Sequence, residues 1–514
     1  MSRRPALLVL AVLATAAVAL APIDGLSTAG QFAVATGTFA AVCWVTGALP
    51  LPVTALCVPA LLAGFGVYPS LGPALASFAD PVVFLLFAGF ALAAALQSHG
   101  LDRRAAFTLV ARVGGSPRGL VLVVMVTTAG LSMLVSNSAT AAMMAPIALG
   151  IGGQLVPGAT DGGGSDGDDR TDDLANVEVA MLLGVAYAAS IGGVGTLVGT
   201  PPNAIVVAQV ERALDYRVGF LQWSLVGLPV VALTLPVAWA LLVRLYPPAA
   251  DDASPARAVA RRRLAASGAL SPAARRTLAV TATTALLWVL GGLGFLFEPY
   301  LPERVFVTLF GGDATTLLGT VGHQGLLFYV LVGLLAIPAL VVSGAAEWET
   351  LVDVDWGTLL LLGGGLSLAD ALVATDATTW LADVTVGSLG GVPVVLLVVT
   401  IVLVTIGLGE LASNTAMTAI LAPVLVTLGP AYAATLGTDG ATAGVFLAVV
   451  AAVASSFGFA LPVATPPNAI VFGTGEVTRE QMLRAGGVLD VLLGLLVAGV
   501  LLGLLFVAWP LTVG

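Results

Sequence analysis

The sequence predicts an all-α polytopic membrane protein built from two inverted-topology repeats. Hydrophobic residues make up 58% of the 514 residues and charged residues only 9%, whereas soluble domains carry roughly a quarter charged residues. Two polar motifs also recur in the same order in both halves of the chain, each inside a long apolar run. These observations predict about 11 transmembrane helices, two re-entrant hairpins and two broken helices.

The first recurring motif is a pair of adjacent prolines. Residues 199–205 read G-T-P-P-N-A-I and residues 464–470 read A-T-P-P-N-A-I. Proline lacks the N–H that a helix interior needs, so both pairs fit only a first helical turn, with Thr200 and Thr465 as N-caps. Each run is predicted to be a broken membrane helix whose second half begins near the bilayer centre, with its positive end pointing inward. The residues predicted to unwind and expose carbonyls are Gly192, Gly193 and Gly195 in the first copy, and Gly458 and Pro462 in the second.

The second recurring motif is a polar triplet in the middle of an apolar stretch. The triplet S-N-S at residues 136–138 lies within residues 118–155, and the triplet S-N-T at residues 413–415 lies within residues 392–433. Each arm has about 15–20 residues, and the flanking loops lie on one side only if the segment turns back at the triplet. Both stretches are therefore predicted re-entrant hairpins with polar tips. Two broken elements at matching positions of two halves indicate a transporter's binding site.

The N-terminal element is a short basic start followed by an apolar run to Ala21. This pattern fits either a cleaved signal peptide or a signal-anchor helix, and the membrane-embedded remainder favours the anchor. The other predicted spans are 30–49, 51–66, 81–98, 219–245, 277–297, 323–345, 356–374 and 485–511. The broken helices are predicted at 175–212 and 441–476. One interfacial segment is predicted directly after residue 98, and a second at 376–390.

The arginines predict the orientation. The chain has no lysine, and with the N-terminus inside, all but three of its 19 arginines lie on the cytoplasmic side. The exceptions are Arg212, Arg217 and Arg304. The positive-inside rule therefore favours a multi-pass plasma-membrane protein with a cytoplasmic N-terminus. An odd number of crossings between corresponding elements places the two halves in opposite orientations.

Acidic residues give the chain a net charge of −10, and residues 161–173 form an acidic run. A proteome adapted to high salt shows this pattern, but negative charge on a solvated loop is the favoured explanation.

The chemistry predicted at the midplane lacks basic side chains. Neither the hairpin tips nor the helix breaks contain Lys, Arg or His, so a buried dianion would need co-bound cations such as Na⁺. Asn137 and Asn414 each offer a carbonyl to a cation and an amide N–H₂ to an anion. Structural roles as interhelical hydrogen bonds and proline kinks are the alternative.

These motifs resemble the divalent anion:sodium symporter family, which includes Na⁺-coupled dicarboxylate transporters. The pairs S-N-S-A-T and S-N-T-A-M, and the two T-P-P-N-A-I blocks, carry the resemblance, which covers roughly residues 30–511. It implies Na⁺-coupled symport of a divalent anion, with a C4-dicarboxylate such as succinate, malate or fumarate as the substrate. It also implies a homodimer in the lipid bilayer, whose transport domain moves like an elevator against a scaffold. No catalytic residue, organic cofactor or nucleic-acid partner is expected.

In that scheme the chain divides into six parts. They are N-terminal scaffold helices (1–80), a scaffold helix with an interfacial helix (81–117), first-repeat transport elements (118–246), a cytoplasmic linker (247–276), second-repeat scaffold helices (277–391) and second-repeat transport elements (392–514).

The resemblance also implies the ligands. One Na⁺ would be held by Ser132, Ser136, Asn137 and the Gly199 carbonyl, and a second by Gly409, Ala412, Asn414 and Ala464. The anion would meet Asn137, Ser138, Thr200, Pro201, Asn414, Thr415, Thr465 and Pro466. The chain departs from the family pattern where Ser138 replaces a threonine and where Gly409 replaces a residue with a side chain.

Several alternatives remain open at this stage. Glu410 is the acid closest to either site and could attract cations, carry protons or cap backbone. An anion exchanger, a sulfate or other oxyanion transporter, or a Na⁺/H⁺ transporter on a similar scaffold is the second hypothesis. An intramembrane enzyme is the third. The chain has no H-E-x-x-H motif to support it, and its G-x-S-x-G match at residues 163–167 lies within the acidic run.

Overall fold

The computed structural model describes residues 4–112, 116–155, 167–248, 252–389, 392–411 and 413–507. Within these ranges the first-half helices are α1 (Arg4–Leu20), α2 (Thr28–Thr46), α3 (Leu51–Gly64), α4 (Leu71–Ala76), α5 (Pro81–Ser98), α6 (Leu101–Arg112), α7 (Pro117–Ser132), α8 (Asn137–Gly152), α9 (Gly167–Gly193), α10 (Pro201–Leu214) and α11 (Phe220–Leu245). A 3-10 turn covers Ser77–Ala79.

The second half continues the helical chain and adds one small sheet. Its helices are α12 (Ser254–Ala266), α13 (Pro272–Gly292), α14 (Gly294–Phe297), α15 (Glu303–Phe310), α16 (Tyr329–Val342), α17 (Trp348–Leu351), α18 (Trp356–Ala374), α19 (Ala377–Leu389), α20 (Val394–Gly409), α21 (Asn414–Thr427), α22 (Gly429–Leu436), α23 (Gly440–Ser455), α24 (Pro466–Phe472) and α25 (Arg479–Val507). Strands β1 (Gly312–Thr315) and β2 (Val321–His323) pair antiparallel.

Many of these helices have the length and composition of membrane spans. In the described ranges, six are long and apolar enough to cross a bilayer alone: Thr28–Thr46, Pro81–Ser98, Asn176–Gly193, Phe220–Leu245, Trp356–Ala374 and Arg479–Phe506. A seventh results if α21 and α22, which are bent by 68°, count as one span. Shorter apolar helices include α1, α3, α7, α16, α20 and α23. The all-α polytopic class is confirmed at this level, and the number of crossings, the repeat inversion and the elevator motion stay predictions.

The chain forms two compact units. The first unit contains Met1–Val83, Thr200–Arg217 and Asp355–Gly514, and the second contains Phe84–Gly199 and Val218–Val354. The second unit therefore holds the first hairpin and the first half of the first broken helix. The first unit holds α10, the second hairpin and the whole second broken helix. The predicted scaffold and transport division of the chain stays a prediction.

Both proline pairs begin helices, as predicted. Pro201 and Pro466 occupy the first position of α10 and α24, and Thr200 and Thr465 are the N-caps in extended conformation. Their missing N–H groups would have no partner in a first turn, so the helices lose nothing there. The prediction of broken helices is confirmed at both sites.

The reversal of the chain predicted for the first hairpin is confirmed by the direction of its two arms along α9, whereas its re-entrance into the membrane stays a prediction. The α7 backbone at Ala129 lies against Gly192, and Met125, one turn earlier, lies against Gly184. After the turn, α8 runs back, because its last residue Gly152 lies beside Val177 near the start of α9. The chain thus reverses at residues 133–136, at the polar triplet.

Two predictions for the first broken helix are corrected. Gly192 and Gly193 remain in α9 rather than unwinding, because the absence of a side chain at Gly192 lets α9 lie directly on the Ala129 backbone. The first broken helix begins at Gly167 instead of residue 175. Residues 161–166 of the acidic run lie outside the described residues, and residues 167–173 of the run form the start of α9.

One short strand pair, β1 and β2, precedes the span predicted at 323–345, and the helix of that span, α16, begins only at Tyr329. Gly311, Gly312 and Gly322 adopt positive φ there, which disfavours helix and permits a tight strand pair. The segment predicted as the linker, 247–276, contains helix α12 and the start of α13, and its role as a linker stays a prediction.

An ion-pair cluster in the first unit fastens the end of α10. Arg212 donates to the Asp80 carboxylate at 2.6 Å and to the Asp370 carboxylate, and its guanidinium also reaches Ser77 Oγ at 3.3 Å. Asp370 of α18 thus joins its helix to the end of α10. The cluster fixes where α10 ends, and hence where its N-terminus points.

A glycine contact in the first unit gives a direct test of helix packing. Gly364 of α18 lies against α3, where an added Cβ would overlap the Ala55 backbone. We expect Gly364→Ala to lower the free energy of unfolding by about 1–3 kcal/mol, because overpacked contacts force backbone shifts. Thermal unfolding of the purified protein in detergent measures the change.

Gly407 of α20 is the matched control, because an added Cβ there meets nothing within 4 Å. Gly407→Ala should leave the melting temperature unchanged or raise it, since alanine is the better helix former. Equal melting temperatures for the two variants would contradict the described packing of α18 on α3.

Candidate cation and anion site

The first hairpin tip surrounds the Asn137 side chain with oxygen atoms. Ser132 Oγ lies 2.6 Å from Asn137 Oδ1 and 2.7 Å from the Ala189 carbonyl oxygen. Ser132 is fully buried at the end of α7 and Asn137 is half-buried at the start of α8. A hydroxyl, an amide oxygen and a backbone carbonyl are hard ligands of the kind that a small cation such as Na⁺ prefers.

Two glycines bring further backbone oxygens to this tip. A Cβ at Gly193 would overlap the Asn137 carboxamide, and a Cβ at Gly199 would overlap the Gly193 carbonyl and stand 3.0 Å from the Ser132 carbonyl oxygen. Only glycine permits this close approach of backbone to side chain. The structure therefore brings together Ser132, Asn137 and Gly199 of the predicted first cation set.

The rest of the first break is held by residues that the sequence analysis missed. Thr196 Oγ1 donates to the Met133 carbonyl, and the Trp223 indole N–H donates to the Val194 carbonyl at 2.9 Å. Ser136, a predicted cation ligand, is the N-cap of α8 and accepts from the Ala139 N–H at 3.4 Å. These bonds satisfy backbone groups that the interrupted helix leaves open.

The second hairpin tip repeats this arrangement with one hydroxyl fewer. Gly409 lies 277 residues after Ser132, and Asn414 lies the same distance after Asn137. A Cβ at Gly409 would stand 3.3 Å from Asn414 Oδ1 and 3.9 Å from the Ser455 carbonyl oxygen. Without a hydroxyl at position 409, Asn414 Oδ1 is buried and has no hydrogen-bond partner in the described part of the chain.

A buried acceptor without a donor is costly unless a ligand fills the position. Asn414 Oδ1 therefore marks a point at which the protein presents an unused oxygen, as a cation site would require. Ala412, another predicted ligand of the second cation, lies outside the described residues.

The second break is ordered by the T-P-P-N motif itself. Thr465 Oγ1 accepts from the Asn468 N–H at 3.2 Å, and the Asn468 side chain donates to the carbonyls of Gly458 at 3.1 Å and Leu461 at 3.0 Å. Leu461 also accepts from the N–H of Ala464, a predicted cation ligand, at 3.2 Å. The asparagine of the motif is thus a fixed support for the unwound segment, a role that the sequence analysis did not assign.

Glu410 also supports this segment. Its carboxylate accepts from the backbone N–H groups of Ala460 at 2.9 Å and Leu461 at 2.7 Å. Capping of unwound backbone was one of the roles considered for Glu410, although the capped residues belong to the second break and not to its own hairpin. The cation-attracting and proton-carrying roles stay open.

Two helix N-termini of the first unit lie at the level of the second break. Thr418, early in α21, bonds to Ser455 at the end of α23 at 3.0 Å. Near the other end of α23, Gly444 faces Val426 of α21 and Leu214 of α10. Because both helices pack along α23 from there, both run antiparallel to it and begin where α23 breaks.

The N-termini of α10 and α21 therefore direct their positive ends to the same level as the unwound segment. The predicted anion ligands at these ends are Thr200, Pro201, Asn414 and Thr415, and Thr465 and Pro466 begin α24 beyond the break. Asn137 and Ser138 belong to the second unit, and their predicted contact with the anion stays a prediction.

Comparisons with known proteins agree with this arrangement of motifs. The family model of the sodium:sulfate symporter transmembrane region matches residues 3–511. A Haemophilus influenzae protein named as an uncharacterized transporter is 35% identical over 463 residues, covering 90% of this chain and 88% of that protein. The sodium-dependent dicarboxylate transporter SdcS of Staphylococcus saprophyticus is 30% identical over 474 residues, covering 90% of this chain and 84% of that protein.

The fold has a solved counterpart. The YdaH transporter of Alcanivorax borkumensis matches with a TM-score of 0.50 at 18% sequence identity, covering 92% of this chain and 99% of that chain. At this identity the likeness concerns the fold alone.

The Ser132 hydroxyl provides a test of the first cation site. Ser132→Ala removes the group that lies against both Asn137 Oδ1 and the Ala189 carbonyl, so we expect the Na⁺ concentration for half-maximal stabilisation to rise about tenfold. The measurement is the melting temperature of the purified protein across a NaCl series, with choline chloride keeping the ionic strength constant.

Thr128→Val is the matched control, because it removes a buried hydroxyl one turn earlier in α7 that bonds only the Val124 carbonyl of its own helix at 2.8 Å. It should lower the melting temperature without changing the Na⁺ dependence. A Ser132→Ala protein with the Na⁺ response of the wild type would remove this residue from the cation site.

Proposed function

The chain belongs to the family of the sodium:sulfate symporter transmembrane region, the divalent anion:sodium symporters, and from this premise we propose that it carries a divalent anion together with Na⁺. The proposed anion is a C4-dicarboxylate such as succinate, malate or fumarate. Members of this family are transporters, and the apolar helices described above make this chain a multi-pass membrane protein. The SdcS relative is named for dicarboxylates, which supports that substrate class over sulfate.

The observation that carries the proposal is the buried, unpartnered Asn414 Oδ1 beside the helix break. An asparagine carboxamide has one accepting and one donating end. The Asn414 oxygen and the Ser455 carbonyl oxygen both lie near Gly409. A cation bound there would fix the carboxamide, and its N–H₂ group would be left for an anion. One side chain would thereby respond to both ligands.

The proposed cations sit at the two hairpin tips. The first would use the oxygens gathered around Asn137, and the second would use Asn414 with carbonyls of Gly409 and Ala464. Both sets are neutral, so binding of a cation adds a positive charge that the empty site lacks. The ligand roles assigned to Ser136 and Ala412 remain part of the proposal.

The anion would be received by the helix ends of the first unit. The Thr200-Pro201 turn of α10, the Asn414-Thr415 start of α21 and the Thr465-Pro466 turn offer hydroxyls and positive dipole ends. These groups suit carboxylates, but neutral donors alone do not offset the burial of two negative charges. Cation binding would therefore have to accompany anion binding, which is the basis of coupling.

Uptake into proteoliposomes tests this proposal. We expect labelled succinate to accumulate with an inward Na⁺ gradient and not with an equal choline gradient, while labelled sulfate accumulates poorly. Preferred Na⁺-driven accumulation of sulfate would show that the substrate is an inorganic oxyanion instead of a dicarboxylate, and would leave the proposed Na⁺ coupling in place. Accumulation driven by a counter-anion inside the vesicles, independent of Na⁺, would establish exchange and contradict symport.

The two asparagine tips should be individually required. Asn137→Ala and Asn414→Ala each remove the carbonyl and the amide, so coupled uptake should fall to the background of empty vesicles, at least a hundredfold below wild type. Asn176→Ala, in α9 and outside the proposed ligands, is the matched control and should transport normally. Full uptake by either tip variant would contradict the proposed site.

A further inference from the structure

We propose that Asp490 and Glu410 form a carboxylate clamp that positions the second helix break for cation binding. Asp490 of α25 is then a positioning residue for the coupled ion, although it lies in the last helix and outside every recurring motif. The inference rests on the proposed function, which supplies the cation.

The clamp holds three successive backbone N–H groups of the unwound segment. Glu410 accepts from Ala460 and Leu461 with separate carboxylate oxygens, at 2.9 and 2.7 Å. Asp490 Oδ1 accepts from the Phe459 N–H at 3.0 Å. Both acids are only 8% exposed, so their bonds to backbone are made where water cannot substitute for them.

Two glycines allow the clamp to close tightly. A Cβ at Gly458 would stand 3.3 Å from Glu410 Oε1, and a Cβ at Gly486 of α25 would overlap the carbonyl of Phe459. The backbone of α25 thus lies directly on the unwound segment. Asp490, one turn further along α25, reaches the same segment from this side.

Fixing these N–H groups fixes the carbonyls that precede them in the chain. A peptide unit is planar, so the held N–H groups of Phe459, Ala460 and Leu461 set the directions of the Gly458, Phe459 and Ala460 carbonyls. The Gly458 carbonyl accepts from the Asn468 side chain at 3.1 Å, and Asn468 also donates to the Leu461 carbonyl at 3.0 Å, which accepts in turn from the Ala464 N–H at 3.2 Å. Through these bonds the clamp is joined to the turn that presents the Ala464 carbonyl and the Thr465 hydroxyl.

The first hairpin tip has no acid at the position of Glu410. Met133 stands 277 residues before Glu410, and there the tip has the Ser132 hydroxyl that Gly409 cannot supply. At these matched positions the second tip thus has one hydroxyl fewer and one carboxyl group more. We infer that the two acids compensate for the missing hydroxyl by ordering the backbone that carries the carbonyl ligands.

Neutral, isosteric substitutions test the clamp. Asp490→Asn and Glu410→Gln keep the size and one accepting oxygen of each side chain. Each should raise the Na⁺ concentration for half-maximal succinate uptake about tenfold, while the maximal rate per folded protein stays within about twofold of wild type. Asp490→Glu, which restores the carboxylate, should recover a part of the Na⁺ affinity.

Asp439→Asn is the matched control. Asp439 is also a carboxylate that caps backbone of the second broken helix, accepting from the Thr442 N–H at 2.9 Å and the Thr442 hydroxyl at 2.6 Å. It lies at the opposite end of α23 from the break. This variant should leave the Na⁺ dependence of uptake at the wild-type value.

A binding measurement separates the clamp from protein yield and from the proposed function. The rise in melting temperature across a NaCl series, at constant ionic strength, reports Na⁺ binding without transport. A wild type that Na⁺ does not stabilise would contradict the proposed function itself. If Na⁺ raises the melting temperature of the wild type and raises those of Asp490→Asn and Glu410→Gln equally, the clamp is overturned. The two acids then have a structural role only.

Discussion

Backbone polar groups that a broken helix leaves open inside a membrane must be satisfied by the protein, because the lipid offers no partner. This constraint explains why side chains from distant parts of the sequence converge on each break. Trp223 and Thr196 hold the first, and Asn468, Glu410 and Asp490 hold the second. The broken segments are thus fixed structures, and their remaining carbonyls and helix ends can be directed at ligands.

The same constraint shapes the electrostatics. The hairpin tips and breaks carry no basic residue, so positive potential comes only from helix N-termini and from bound ions. A helix end supplies about half an elementary charge. Two or three such ends therefore supply less positive charge than is needed to neutralise the two negative charges of a dicarboxylate. In the proposed mechanism the deficit is made up by Na⁺, and the difference between Ser132 and Gly409 makes the two cation sites unequal.

Local chemistry decided which features could be predicted from the sequence. The positions of Pro201 and Pro466 follow from the missing N–H of proline, and the reversal of the chain beside the first polar triplet follows from arm length, so both predictions were correct. Asp490 was not predicted, because it lies in an apolar helix with no motif around it, and only tertiary packing places it beside Phe459. The strand pair β1–β2 was missed because glycines with positive φ give no hydrophobic pattern.

The central claim is that cation and anion binding are one coupled event, and equilibrium binding of labelled succinate to the purified protein tests it most directly. Choline replaces Na⁺ at constant ionic strength, so that screening of the chain's net charge of −10 stays the same. The account predicts that succinate affinity rises steeply with Na⁺, and that succinate raises Na⁺ affinity by the same factor. Equal succinate affinity in choline chloride and in NaCl would contradict it.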